Sequence, residues 1–191
     1  MKLPGFEWPI LASLALWCLL SIYWKIAARS SSPAAVSEAN PSRGLHVLLT
    51  SAAQILVLFP VPVLPQRYLP TSVFVIATGL TLEGMGLLLA VWARRLLGRN
   101  WSGRITLKVE HELVRSGPYR LVRHPIYTGL LAMYAGAAIV SGEVHALIGL
   151  ALAVGAYLRK IRLEEANMLK GFGADYRTYR GDTWALFPGL F

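Results

Sequence analysis

The chain has 191 residues, of which 55% are hydrophobic and 15% charged, and its mean hydropathy is +0.49. A soluble domain carries about 25% charged residues, so this composition belongs to a membrane-embedded chain rather than to a soluble core. The net charge of +9 does not mark a nucleic-acid binder, because Lys and Arg flank apolar runs instead of gathering on one solvated stretch. A single cysteine, Cys18 inside an apolar run, excludes an internal disulfide and leaves no Cys-Cys or Cys-His spacing for a metal site.

A bilayer core of roughly 30 Å is crossed by about 20 apolar residues of helix. The first such run covers 8–28, with Trp8, Trp17, Tyr23 and Trp24 placed partly at its ends, where aromatic rings favour the interface. No small-residue cleavage site follows it, so it reads as a retained transmembrane helix and not as a removed signal peptide. Residues 29–43, rich in Ser, Ala and Pro, read as a loop. The second run is 45–64, broken or kinked at its far end by Pro60, Pro62 and Pro65.

After a turn with Arg67 and Pro70, the third run covers 71–97. It carries Glu83 near its middle and Gly79, Gly84 and Gly86, small residues that let helices approach closely. The polar stretch 98–125 leads into a short fourth run, 126–140. Ser141-Gly142 makes a break, the fifth run is 144–158, and these last two are expected to form a helical hairpin. The tail, 159–191, is polar and aromatic and reads as helical to about Tyr179. The expected architecture is all-α, an integral membrane protein of about five transmembrane helices. It is a single domain over 1–191, with three helices in 1–97 and the polar loop, hairpin and tail in 98–191.

Five crossings imply an orientation. With the N-terminus outside, all 19 Lys and Arg except Lys2 and Arg67 fall on inside segments. That positive-inside bias places both the polar stretch and the tail in the cytoplasm.

Two groups of polar residues are therefore expected on one face of the membrane. In 111–129, Gly117-Pro118 reads as a turn and His124-Pro125 forces an extended residue ahead of the fourth helix. Free backbone N–H groups at that helix start favour anions. The second group is Arg159, Lys160, Arg162, Glu164 and Glu165. On a helix, Arg162 and Glu165 share one face, and Lys160 and Glu164 share another.

These residues carry a resemblance. His111, Leu113, Val114, Gly117, Tyr119, Arg123, His124, Pro125, Tyr127 and Gly129 are followed by Glu164-Glu165, Phe172-Gly173, Tyr176, Tyr179 and Pro188. In this order and spacing they resemble the isoprenylcysteine carboxyl methyltransferase family, and the related phospholipid N-methyltransferases share much of the pattern. The resemblance covers the chain from His111 onward, while the earlier helices match only in being hydrophobic. It implies a membrane methyltransferase that uses S-adenosylmethionine, held in a pocket of the C-terminal half without a Rossmann domain. Gly84-Met85-Gly86 is the only local G-x-G, and it lies inside a predicted helix with no preceding strand, so it reads as a packing face.

Carried over position by position, the cofactor contacts fall on His111, Glu112, Leu113, Val114, Tyr119, His124, Pro125, Ile126 and Tyr127, and on Glu164 and Glu165. One of the two Glu would pair with the methionine ammonium. Arg159 or Arg162 would hold an anionic acceptor by bidentate bonds, and Glu165 or His124 would be the base if the acceptor were an amine. The expected acceptor is lipophilic and enters from the bilayer. A carboxylate is the leading choice, with a phospholipid or other amine, or a thiol, as the alternative. Two other classes stay open: an NADPH-dependent membrane reductase, and a non-catalytic membrane scaffold.

Other polar residues have plainer readings. Arg115 and Arg120 read as headgroup anchors, and Arg123, beside His124-Pro125, as support for the site. His46 and His145 read as interfacial. Tyr176, Tyr179 and Trp184 read as packing the tail on the bilayer surface. Glu83 either bonds a neighbouring helix or faces an aqueous cavity.

Overall fold

The computed structural model describes residues 8–29, 36–37, 40–62, 64, 66–98, 106–107 and 113–189. Its helices are α1 (Trp8–Ala28), α2 (Asn40–Leu58), α3 (Val73–Leu97), α4 (Pro125–Ser141) and α5 (Val144–Asp182). A 3-10 turn covers Gly117–Arg120, and β1 (Val36–Ser37) pairs antiparallel with β2 (Thr106–Leu107). The chain is an all-α membrane protein. α1, α3 and α5 are long and apolar enough to cross a bilayer; α4, at 17 residues, is short, and α2 carries Arg43, His46 and Gln54.

Local chemistry sets the helix ends. α2 stops at Leu58, earlier than the apolar run suggested, because Pro60 has no N–H to continue the ladder and disfavours helix in the residue before it. α3 starts where Ser72 Oγ accepts from the Val75 N–H at 3.3 Å. α4 ends at Gly142, whose φ of 64° is open to glycine at little cost. The fifth run and the tail join into one 39-residue helix, interrupted at Gly173, where φ is 53° and ψ −117°.

Successive helices run in alternating directions. Arg94 Nη2 donates to the Ala27 carbonyl at 2.6 Å, joining the last turns of α1 and α3. Arg159 reaches Ser42 at the start of α2, and α4 begins nearby at Pro125. At the other end Pro9, Leu58, Val75, Ser141 and His145 surround a cavity. The described end of the polar stretch, 113–125, and the charged part of α5 therefore come to the same end of the bundle, as the sequence implied.

α3 and α4 touch backbone to backbone. A Cβ on Gly129 would stand 2.5 Å from the Gly86 carbonyl oxygen, and one on Gly136 would stand 2.5 Å from that of Gly79. The pairs are seven residues apart on both helices, which keeps them on one face. Gly84 meets nothing within 4 Å, so the G-x-G is split between a packed and an open position. Glu83 lies inside this seam, fully buried, and its Oε1 accepts from Ser13 Oγ of α1 at 2.5 Å. Of the two earlier readings of Glu83, the interhelical bond is the one present. Leu11, Leu19, Ile22, Ile26, Phe74, Leu88 and Trp92 are exposed, as lipid-facing positions of α1 and α3 would be.

Candidate functional site

The site is built where the turn before α4 meets α5 and the C-terminal strap. Gly117, at φ 58°, lets the 3-10 turn fold onto α3, where a side chain at this position would run into Leu96. Tyr119 is then buried, its hydroxyl donating to the Ala93 carbonyl at 3.4 Å and its own carbonyl accepting from Tyr179 Oη at 2.8 Å. Burial pushes the Tyr119 phenol well above its usual range, so it stays a neutral donor.

The next residues are stitched to the strap. Trp184 N–H donates to the Leu121 carbonyl (3.0 Å), Arg123 N–H to that of Trp184 (2.8 Å) and His124 N–H to that of Ala185 (3.0 Å). Thr128 Oγ1 donates to the Leu186 carbonyl at 2.8 Å. His124 is thereby fixed as the residue before α4, with Pro125 in the first helical position, where its missing N–H costs nothing.

Four side chains converge there. The His124 ring lies nearly parallel to that of Tyr127, with centroids 5.6 Å apart. Tyr127 Oη donates to Glu164 Oε1 at 2.6 Å. His124 Nδ1 is 3.6 Å from Glu164 Oε2, and its Nε2 is 3.4 Å from Glu165 Oε1. At 3.4 Å Nε2 has no well-formed hydrogen bond among the described residues, although it is buried.

Glu165 anchors a charged network. Arg123 Nε donates to its Oε1 at 2.8 Å, and Arg180 Nε lies 3.4 Å from its Oε2. Arg123 Nη1 also donates to the carbonyls of Arg180 and Thr183. Glu165 lies beyond 144–158, the apolar part of α5. Burial pushes its carboxyl up, but the contacts to His124 and Arg123 outweigh this and bring it down to about 2.

The expected site residues divide accordingly. His111 and Glu112 lie outside the described residues. Leu113 is half-buried, and Val114 packs on the cluster of Ala93, Tyr119 and Ile126. Pro125 and Ile126 are buried in the first turn of α4. Tyr119, His124, Tyr127, Glu164 and Glu165 are brought together. Arg159 is turned to α2, its Nη2 donating to Ser42 Oγ at 2.9 Å. Arg162 is exposed while Glu165 is buried, so their three-residue spacing does not bring both into the cluster.

Several plainer readings are corrected. Arg115 donates to the Asp175 carbonyl at 3.0 Å and sits 5.5 Å over the Tyr179 ring, holding the protein to itself. Tyr176 and Tyr179 are buried inside the protein, not laid on a surface. His145 keeps its place at a helix end, where it is buried and bonded between Leu56 and Glu143. Arg123 does support the site, through Glu165 and the strap. Two further residues stand at the site without a signal in the sequence: Tyr157, whose ring lies 5.1 Å from that of Tyr127, and Arg180. Tyr157 is hidden in an apolar run, and nothing in its local pattern marks it.

The sequence profile described as phospholipid methyltransferase matches residues 74–175, more than half the chain and both walls of the cluster. Among relatives, a protein-S-isoprenylcysteine O-methyltransferase of Dictyostelium discoideum is 28% identical over 82 residues, covering 42% of this chain and 35% of that protein. The cobalt-zinc-cadmium resistance protein CzcN of Cupriavidus metallidurans is 36% identical over 116 residues, covering 58% and 50%. Methanethiol S-methyltransferase 2 of Bradyrhizobium diazoefficiens is 43% identical over 75 residues, covering 38% and 27%. The chain spans half or less of the length of these relatives, and the two methyltransferases among them are named for different acceptors. The profile match, more than any one relative, shows that the chain belongs to the phospholipid methyltransferase family.

Proposed function

We propose that the protein is a membrane-embedded methyltransferase that takes its methyl group from S-adenosylmethionine and passes it to a lipophilic acceptor, a carboxylate in the leading case. The observation that carries this reading is the buried apposition of His124 and Tyr127, at the start of α4, to the carboxylates of Glu164 and Glu165 on α5.

The donor set fits the cofactor. When bound, S-adenosylmethionine supplies an electrophilic methyl on a sulfonium. Glu164 has a side chain 17% exposed and engages no arginine among the described residues, so it suits the methionine ammonium better than Glu165 does. The buried His124 Nε2 makes no hydrogen bond among the described residues, which leaves it a polar partner to find. The rings of Tyr127 and Tyr157 offer π faces that attract a cation. His111, Glu112, Leu113, Val114, Tyr119, Pro125 and Ile126 enter the reading through the resemblance alone.

Catalysis is then chiefly positioning, and holding two reactants in line contributes on the order of 7–11 kcal/mol. Glu165, tied to Arg123 and Arg180, stands 3.4 Å from His124 Nε2, and His124 itself is set by its backbone bond to Ala185. A carboxyl held at about 2 is a poor base at neutral pH. That leaves His124 as the base if the acceptor is an amine, while an acceptor already ionised, as an α-carboxylate is with a pKa of about 3.5, needs none. Exposed Arg162 is the better placed of the two arginines to meet an anionic acceptor arriving from outside; Arg159 is engaged with Ser42. The positive-inside distribution supports a cytoplasmic site with the N-terminus opposite.

Titration of the purified protein in detergent tests the cofactor. S-adenosylmethionine binds and NADPH does not, and His124→Ala and Glu164→Gln each weaken binding. NADPH binding alone would support a reductase, and binding of neither would support a scaffold. Unchanged affinity in both variants would remove the site assignment. Labelled methyl transfer to a membrane extract tests the acceptor: a base-labile label marks an ester, and a base-stable one marks an amine or thioether. The 43% identity to a methanethiol S-methyltransferase makes a thiol the second reading.

A further inference from the structure

A second polar site lies at the end of the bundle away from His124. α4 has 17 residues, so about 25 Å of helix separates its start from its end. At that end the first turns of α1, α3 and α5 and the last turns of α2 and α4 enclose a cavity of about 210 Å³. Val57, Phe59 and Ile76 give it apolar wall, while Arg67, Glu143 and His145 bring polarity to it.

The polar group is fixed from behind. His145 is buried, with Nδ1 2.6 Å from the Leu56 carbonyl oxygen and Nε2 2.8 Å from Glu143 Oε2. One carboxylate oxygen of Glu143 is therefore held, and the other stands 3.5 Å from Arg67 Nη1. The loop carrying Arg67 is pinned to the α4–α5 turn: Val144 N–H donates to the Gln66 carbonyl at 2.8 Å, and Tyr68 N–H to that of Gly142 at 2.9 Å. The guanidinium lies over Gly142, where a Cβ would come 2.6 Å from Nη2.

A cation and an anion thus stand side by side at the level of the helix ends, where membrane helices meet lipid headgroups. Their side chains are 39% and 24% exposed. A pair this long and this open is worth at most about 1 kcal/mol, so a ligand carrying both charges can part them at little cost. Size narrows the ligand further. Pockets for whole drug-sized molecules run to about 300–1,000 Å³, and this cavity has room for a headgroup. Exposed Val73 and Phe74, at the start of α3, offer apolar surface beside it.

We propose that this is a binding site for a zwitterionic phospholipid headgroup, with its phosphate on Arg67, its ammonium on Glu143 and its acyl chains left in the bilayer against the start of α3. The site shares no residue with the methyl-transfer cluster and stands or falls apart from it.

The test is retention of added lipid by the purified full chain in neutral detergent, read by native mass spectrometry and by the shift in melting temperature. Phosphatidylethanolamine is expected to be retained and to stabilise the protein. Arg67→Gln and Glu143→Gln should each weaken this by about tenfold or more, the size of one lost charge-assisted hydrogen bond, while His124→Ala leaves it unchanged. If Glu143→Gln fails to fold because it frees His145, Ile76→Trp carries the test by filling the cavity without touching the ion pair. Equal retention of phosphatidylglycerol would overturn the zwitterionic assignment. Soluble phosphoethanolamine binding as tightly as the lipid would overturn the lipid source. Absence of retention, or retention that survives both Arg67→Gln and Ile76→Trp, would overturn the site.

Discussion

On one side, α4 presses Gly129 and Gly136 against Gly86 and Gly79 of α3; on the other, it holds His124 and Tyr127 out to the carboxylates of Glu164 and Glu165 on α5. The first contact is backbone on backbone. The second is made by the ends of long polar side chains. Between apolar helices in lipid, association rests on close packing and on hydrogen bonds, since burial from water offers little. α4 uses one of these on each side. A contact set by shape fails when atoms are added, and a contact set by charge fails when one partner is taken away.

Gly86→Leu should have the largest effect. A side chain there would meet the Gly129 carbonyl oxygen and stand 2.9 Å from Met133 N, both backbone atoms that cannot turn aside. Overpacking costs about 1–3 kcal/mol where side chains can adjust and more where they cannot, so loss of folded protein is expected. Gly84→Leu, two residues earlier, meets open space and should melt like the unchanged protein. Equal melting temperatures for the two variants would dissolve the seam as described.

The charged side breaks by subtraction. Arg123→Ala would leave the buried Glu165 charge with only the longer contacts to Arg180 and His124, and would take Arg123 away from the Arg180 and Thr183 carbonyls. Removing one partner of a buried pair costs about 3–5 kcal/mol. Adding Glu165→Gln should recover part of it, because the buried charge goes as well. A double variant no more stable than Arg123→Ala would mean that the strap contacts, and not the ion pair, carry the loss.

The two sides were unequally legible in the sequence. Gly79, Gly84 and Gly86 announced a close approach, but only three-dimensional phase separates Gly86, which is packed, from Gly84, which is not. The motif residues from Val114 to Tyr127 and the Glu164-Glu165 pair could be named in advance through the family resemblance, not from their own chemistry or spacing. Which of Arg159 and Arg162 faces the pocket could not be read, because one residue of helical phase exchanges them, and the face buried is that of Lys160, Ile161 and Glu165. Tyr176 and Tyr179 were misread because an aromatic tail after a membrane helix suits an interface as well as a core. Beyond the break at Gly173 both are buried, Tyr179 against Tyr119 and Arg115 and Tyr176 against Tyr179.

Acid should loosen the charged side and spare the seam. The Glu165 carboxyl lies at about 2 in the folded chain, against about 4.3 for a free glutamate. A depressed carboxyl adds stability that is fully present above the free value and is lost as pH falls from about 4 toward 2. Unfolding followed in detergent from pH 6 to pH 2 should show this loss, and Glu165→Gln should flatten it. An acid limb of equal size in that variant would assign the effect to other carboxyls.

The smallest effect reaches the charged side through one neutral hydrogen bond. Tyr179 Oη donates to the Tyr119 carbonyl at 2.8 Å, and both residues are buried. Tyr179→Phe keeps the ring that Arg115 lies over and removes only that donor. The unpaired carbonyl should cost about 1 kcal/mol, visible as a modest drop in melting temperature. Because Tyr119 sits on the turn that sets His124, the same change should also weaken cofactor binding slightly, though by less than His124→Ala. A drop in stability with no change in binding would make the Tyr119–Tyr179 contact part of the scaffold and confine the charged site to α4 and α5.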